Sequence, residues 1–369
     1  MSKLWHTIGV FTALQLKRHL RSSSLWLVIL ATPILARFLV PQPSASYTVI
    51  SINNARPVLS ASVIGMEIGI IAALVLSPLA YIFLRAGPTR IVPTQLLAIA
   101  PQSHIPRMVA NWIADTLILW LILGVLALAG VIISVFRLPT NDLHIWQTLS
   151  APLIIAGPAF ACIAGIRTFF SARPLLLGGA GDGVFLVLWL AGMVLATAFF
   201  QLAENPSAIS DVFGFAAVLA PSIDVPVRAI SIGSTPNMSG DIVVHAARGI
   251  FNRDFLVSRI FWIAVAALTA IIAGYVYKPN ARQYRPRKFA ALGSGLSKTG
   301  GKLLSILLPG KSRYLAPISA HIWQIITPKY FLFILVIAAL VAVILPFHSL
   351  GGATIWLAVL FPLTRHSAR

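Results

Sequence analysis

The chain has 369 residues, 58% of them hydrophobic and only 10% charged, with a formal net charge of +19. Soluble domains carry about 25% charged residues, so this composition excludes an ordinary water-soluble domain and makes lipid the natural solvent. The positive excess lies between apolar runs without interleaved aromatics, which points to a membrane surface as its polyanion and away from nucleic acid.

In chain order, residues 3–21 come first. Leu4, Ile8, Phe11 and Leu14 fall close to one helical face, followed by Lys17, Arg18 and Arg21. That pattern predicts a helix lying in the inner membrane interface with its basic residues toward headgroups. A spanning helix needs about 20 apolar residues. Eight runs meet or approach that length: 24–40, 60–84, 112–136, 152–166, 184–202, 256–277, 330–346 and 353–363. Pro33, Pro78 and Pro158 lie inside these runs, which is compatible with spanning where neighbours satisfy the carbonyl each proline frees. The expected fold is an all-α polytopic membrane protein of about eight transmembrane helices.

Loop charge sets the expected orientation. With a cytoplasmic N-terminus, 21 of the 28 lysines and arginines fall inside, including Arg167 and an acid-free basic stretch over 278–329. The outer segments then hold Asp142, Glu204, Asp211, Asp224, Asp241 and Asp254. The longest of them, 203–256, contains an apolar run over 212–220 that is too short to cross and reads as an interfacial or re-entrant piece.

Groups able to carry chemistry are few. There is no H-E-x-x-H, no paired cysteine and no G-x-S-x-G, so neither a metal nor a cofactor is expected, and the single cysteine, Cys162, excludes an intrachain disulfide. Gly310-Lys311-Ser312 has the tail of a phosphate-binding loop, but Ser305 stands where its leading glycine belongs and Pro309 interrupts it, so no ATP site is expected. The chain is accordingly read as a non-enzyme. The glycine-rich stretch 178–183 reads as a turn. Asp115 lies one turn into the third span on the cytoplasmic side, where it can stay wet. Arg37 and Glu67 lie at matching depth in the first and second spans, where they form a candidate ion pair; the alternative is that Arg37 snorkels and Glu67 is wet.

Between the second and third spans, Arg85, Arg90 and Arg107 bracket a short apolar helix predicted over 94–100, carrying Gln95, Leu96, Leu97 and Ile99 and ended by Pro101. A stub of this kind, tethered to two spans, suits docking in the groove of a cytoplasmic partner, the alternative being an ordinary interfacial loop.

The last spans repeat features of the first. Val75-Leu76-x-Pro78-Leu79 matches Val359-Leu360-x-Pro362-Leu363, each followed by basic residues. The expected organisation is a six-span unit over 1–277, a basic cytoplasmic linker over 278–329 and the first two spans of a second, incomplete unit over 330–369.

The order of basic N-terminal helix, two spans, "RAGPTR" at 85–90, Ala100-Pro101 and Asn111-Trp112-Ile113-Ala114-Asp115 resembles the permease subunits of ABC-2 type transporters. The resemblance implies a membrane subunit of an exporter in the bacterial inner membrane, moving a lipid, peptide or drug-like substrate. It implies that a separate cytoplasmic ATP-binding subunit hydrolyses ATP and docks at Arg90, Gln95, Leu96, Leu97, Ile99 and Arg107, with a second permease copy or subunit as a further partner. The competing readings are an intramembrane enzyme or an ion-coupled secondary transporter. Both need several buried ionisable groups acting together, for which the sequence offers Arg37 and Glu67.

Overall fold

The computed structural model describes residues 2–42, 45, 47–86, 104–138, 144–173, 175–176, 179–202, 208–225, 230–234 and 240–277. These belong to one compact unit that ends at Asn280. The predicted spans over 330–346 and 353–363, the basic linker and Gly310-Lys311-Ser312 lie outside the described residues, as does most of the segment between the second and third spans.

Ten helices are described: α1 (Ser2–Leu20), α2 (Ser23–Leu39), α3 (Ala61–Leu74), α4 (Leu76–Ala86), α5 (Ile105–Arg137), α6 (Ile145–Ala172), α7 (Gly179–Leu202), α8 (Phe215–Leu219), α9 (Ala246–Ile250) and α10 (Arg253–Val276). Four of them, α5, α6, α7 and α10, are long and apolar enough to cross a membrane, and the bent pairs α1–α2 and α3–α4 raise the total to as many as six. The bends are 67° between α1 and α2 and 53° between α3 and α4.

Proline chemistry shapes the bent spans. A proline inside a helix removes the N–H that would bond the carbonyl four residues earlier. Pro33 frees the Ile29 carbonyl, and the Thr32 hydroxyl donates to it at 2.7 Å. Pro78, two residues beyond the start of α4, leaves the Leu74 carbonyl at the α3–α4 break, and the Trp189 indole on α7 donates to it at 2.9 Å. Both carbonyls find the donor that a water-free environment demands.

The centre of the unit is α6, which packs against α3, α4, α5 and α10, while α1 and α2 lie along α5. Close approach is set by small residues. A Cβ on Gly65 of α3 would stand 2.9 Å from the Thr148 Cα of α6, and one on Gly69 would stand 3.0 Å from the Ile155 Cβ. The pair forms a G-x-x-x-G step, the spacing that brings spanning helices into backbone contact where no hydrophobic force drives them together. Two indoles of α5 donate across the next interface, Trp112 to the Ala161 carbonyl at 3.0 Å and Trp120 to the Gly157 carbonyl at 2.9 Å.

The all-α expectation needs one correction. Four short strands pair at the end of the bundle where α2 stops and α3 begins: β1 (Thr48–Ile52), β2 (Arg56–Pro57), β3 (Ile230–Ser234) and β4 (Asp241–Ile242). β1 runs antiparallel to β3 with Ile50 opposite Ile232, and β2 runs parallel to β4 with Arg56 opposite Asp241. Asn53 and Asn54, both at positive φ, turn the chain between β1 and β2, as asparagine does in tight turns.

The 212–220 run is neither a span nor a bare loop. It folds as α8 and a following 3₁₀ turn, with Phe215, Ala216, Val218 and Leu219 buried. Gly214 enters α8 at φ +76°, a conformation that glycine adopts without strain. The Asp211 carboxylate accepts the N–H groups of Gly214 and Ala217 at 2.8 and 3.0 Å. Arg259 of α10 anchors the same loop by donating to the Asp211 and Val212 carbonyls.

Candidate functional site

Because consecutive spans alternate in direction, the start of α5, the end of α6, the end of α4 and the start of α7 share one end of the bundle. This end also receives α1. Five of its polar residues, Gln15, His19, Asn111, Asp115 and Arg167, are buried. Asp115, on α5, has no exposed surface and holds two partners: His19 of α1 through Nε2 at 3.0 Å, and the Arg167 Nη1 of α6 at 2.8 Å. One turn earlier on both helices, the Gln15 amide donates to the Asn111 side-chain oxygen at 2.9 Å. The His19 ring also lies 6.3 Å from that of Phe83 on α4.

Three helices therefore converge on one carboxylate. Burying charges costs several kcal/mol per ion unless geometry and hydrogen bonds compensate, and here the acid has a cation on one oxygen and an imidazole on the other. Capacity remains in the cluster: His19 Nδ1, Asn111 Nδ2 and Thr168 Oγ1 are buried without a hydrogen-bond partner among the described residues.

These contacts correct two expectations. Asp115 is dry, and Arg167 is a buried member of the bundle rather than a loop charge. The reason is helix length. α5 begins at Ile105, seven residues before the apolar run, and α6 continues to Ala172, six residues beyond its own run. Both residues thus lie well inside helices, where depth and neighbours hide them.

α1 shows the same logic from the other side. Leu4, Trp5, Val10, Leu14 and Leu20 are exposed, while Ile8, Gln15 and His19 face the bundle. The predicted apolar face does point outward at Leu4 and Leu14, as a membrane interface requires. What the sequence pattern missed is that a polar stripe, Gln15 and His19, faces α5.

A second buried charge lies nearby. Asp182, in the first turn of α7, ion-pairs with Arg85 of α4 and accepts from the Tyr81 hydroxyl at 3.4 Å. The Tyr81 ring stacks on Phe185 at 3.8 Å. The glycine-rich stretch expected to be a turn is therefore, from Gly179 onward, the start of a helix fixed by its acid.

Of the residues proposed for docking, Arg107 is described, in the first turn of α5 and partly exposed; Arg90, Gln95, Leu96, Leu97 and Ile99 lie outside the described residues. His104, beside Arg107, rests 4.5 Å from the Tyr277 ring. Burial, with the Arg107 charge adding to it, holds the His104 pKa below its ordinary value.

Arg37 and Glu67 are not brought together. Arg37 is exposed and its carbonyl accepts from Arg137 at 3.2 Å. Glu67 is 2% exposed, receives the Ile50 N–H and the charge of Arg56, and keeps Oε2 without a partner among the described residues.

At the opposite end, Asp224 is exposed between His245 at 3.3 Å and Arg248 at 2.6 Å, and the Arg248 hydrogen bond holds its pKa below the usual carboxylate value. Among the described residues, no group of three or more histidine, cysteine or acidic side chains is arranged to hold a metal ion. Comparison with protein-family models, curated proteins and solved structures found no match to this chain.

Proposed function

We propose that the chain is the membrane-spanning subunit of an ATP-driven exporter, with a cytoplasmic N-terminus, in a bacterial inner membrane. ATP hydrolysis belongs to a separate subunit, and the exported substrate is lipid, peptide or drug-like.

One observation supports the reading most. The segment joining α4 to α5 leads into α5, whose first turn holds Arg107, and Asp115 follows eight residues later, about 12 Å along the axis. That carboxylate holds α1 and α6 together with α5. Displacing the segment would therefore move three helices at once, which is what a coupling element must do to shift a bundle between two states.

A second reading gains from the same residues. An ion-coupled carrier needs several buried ionisable groups, and His19, Asp115 and Arg167 join Glu67 in that class. The dependence of transport on ATP or on an ion gradient separates the two.

The deciding experiment is a detergent pull-down with the candidate ATPase. Leu96 and Leu97 are the apolar anchors and Arg90 and Arg107 the rim, and central anchors dominate binding energy. Leu96→Asp or Leu97→Asp is expected to abolish association, while Arg107→Ala weakens it less and in a salt-dependent way. Retention of the ATPase by both aspartate variants, each still eluting as a folded species, overturns the reading. A cysteine at position 234 labelled only from the cytoplasm would reverse the orientation.

A further inference from the structure

Between α4, α6, α7 and α10 lies a cavity of about 260 Å³. Its walls include Ser77, Ala159, Cys162, Trp189, Trp262 and Thr269. Five of these side chains carry a donor, and every donor is already committed to a backbone carbonyl. Ser77 donates to Ala73, Cys162 to Trp262, Trp189 to Leu74, Trp262 to Ile209 and Thr269 to Val265.

That accounting decides what the cavity can hold. A buried water needs two to four polar partners, and a cavity of roughly 150 Å³ lined by apolar groups stays dry and takes benzene instead. Here the walls offer hydrocarbon and no uncommitted donor. A polar ligand would lose its hydration without replacement, which is costly.

The cavity also has a supply of the right occupant. Three of its four helices are long and apolar enough to span the membrane. On α7, Leu188 lines the cavity while remaining 49% exposed, and Val187, Val194 and Leu195 continue the exposed apolar face beside it. The opening therefore faces the zone where lipid tails are the solvent.

We propose that this cavity is a binding site for the acyl chain of a bilayer phospholipid, which enters past Leu188 and packs its tail against Ile166, Val265 and Thr269. The headgroup stays at the membrane surface. The bound tail fills the space between α7 and the α6–α10 core, so lipid becomes part of the packing of the unit. This site stands apart from the proposed ATP coupling and does not depend on it.

The test uses the full chain reconstituted in vesicles of phosphatidylcholine and phosphatidylglycerol, with a trace of phosphatidylcholine carrying a diazirine midway along one acyl chain. After irradiation, adducts are mapped by peptide mass spectrometry. Ile166, Val265 and Thr269 line the cavity and keep accessible surface, so a tail inside it can reach them, and the filled variants separate that tail from lipid bathing the outer surface. Adducts at these three positions are expected, and Ala159→Phe should abolish them while leaving those on exposed Leu128 and Ile132 of α5 intact. Ile163→Phe fills the same space from another position and serves where Ala159→Phe does not fold. Wild-type adducts confined to exposed faces would overturn the proposal. So would wall adducts that persist in the folded filled variants.

Discussion

Asp115 and His19 meet at 3.0 Å, with both side chains closed to solvent. One belongs to a helix long enough to span the membrane and the other to the helix that leads into the bundle. Arg167, on the second oxygen of the same carboxylate, adds a third helix. Removing the acid alone would strand the guanidinium in a dry interior, which typically costs about 3–5 kcal/mol, whereas apolar replacement of a whole buried pair is often neutral. Asp115→Ala should therefore lower the thermal unfolding temperature in detergent sharply. Asp115→Leu combined with Arg167→Met should recover most of the loss. A double variant as unstable as the single one would mean that packing, not charge, is what Asp115 supplies.

His104 predicts a pH response at the same end of the unit. Its pKa is lowered from the ordinary 6.5, burial being the larger cause and Arg107 the second. A base depressed in the folded state contributes stability above its unfolded pKa, and that contribution is lost as pH falls through the folded value. The contact of His104 with Tyr277 should hence loosen on acidification below about 6.5. Hydrogen-exchange protection at the start of α5 and the end of α10, taken relative to the intrinsic rate at each pH, is expected to fall over that range in the native chain. In His104→Gln that protection should not change with pH.

How much of this was legible in the sequence depends on which physics governed each element. Apolar length alone picked out the four helices long enough to span and the two bent pairs, but it misjudged their ends: α5 begins seven residues before its apolar run and α6 ends six residues beyond its own. Proline tolerance was legible too, since Thr32 and Trp189 supply the required donors. The buried charge cluster was not legible. Asn111 and Arg167 lie where α5 and α6 outrun their apolar runs, Asp115 sits just inside its own, and nothing local marks that Ile105 rather than Trp112 starts α5. The polar stripe of α1 was hidden for a related reason: in lipid the apolar face points away from the protein, so the face that packs is the one a sequence reading treats as surface. The Gly65–Gly69 spacing, in contrast, was a signal present in the sequence that could have placed α3 against α6.

That spacing yields a stability prediction with an internal control. A methyl at Gly65 would meet the Thr148 Cα at 2.9 Å and the Gln147 carbonyl oxygen at 3.0 Å. Both are backbone atoms of a packed helix, so the helices must separate. Overpacking of this kind costs about 1–3 kcal/mol. Gly65→Ala should thus be destabilising, while Gly124→Ala on α5, where nothing lies within 4 Å, should be neutral or stabilising by roughly 0.5–1 kcal/mol because alanine is the better helix former. Thermal unfolding of both variants in one detergent checks the contrast. Equal effects would remove backbone contact as the determinant of the α3–α6 spacing.

Glu67 carries the last prediction, because two arginines compete for it. The sequence offers Arg37, at matching depth. The structure leaves Arg37 exposed beside Arg137 and gives Glu67 the field of Arg56, which is 9% exposed and reaches the Gln42 carbonyl at 3.0 Å. If charge is shared with Arg56, Glu67→Gln and Arg56→Gln should be non-additive in unfolding free energy, while Glu67→Gln and Arg37→Gln should add. Coupling between polar residues in membrane proteins averages about 0.6 kcal/mol and reaches about 1.7, so replicate chemical denaturation is needed to resolve it. The free Oε2 sharpens the expectation: Glu67→Gln puts an amide in the same space and retains an acceptor for the Ile50 N–H, so the single substitution should be mild. Coupling to Arg37 of equal or larger size would restore the pair suggested by depth and remove Arg56 as the cation that compensates the buried acid.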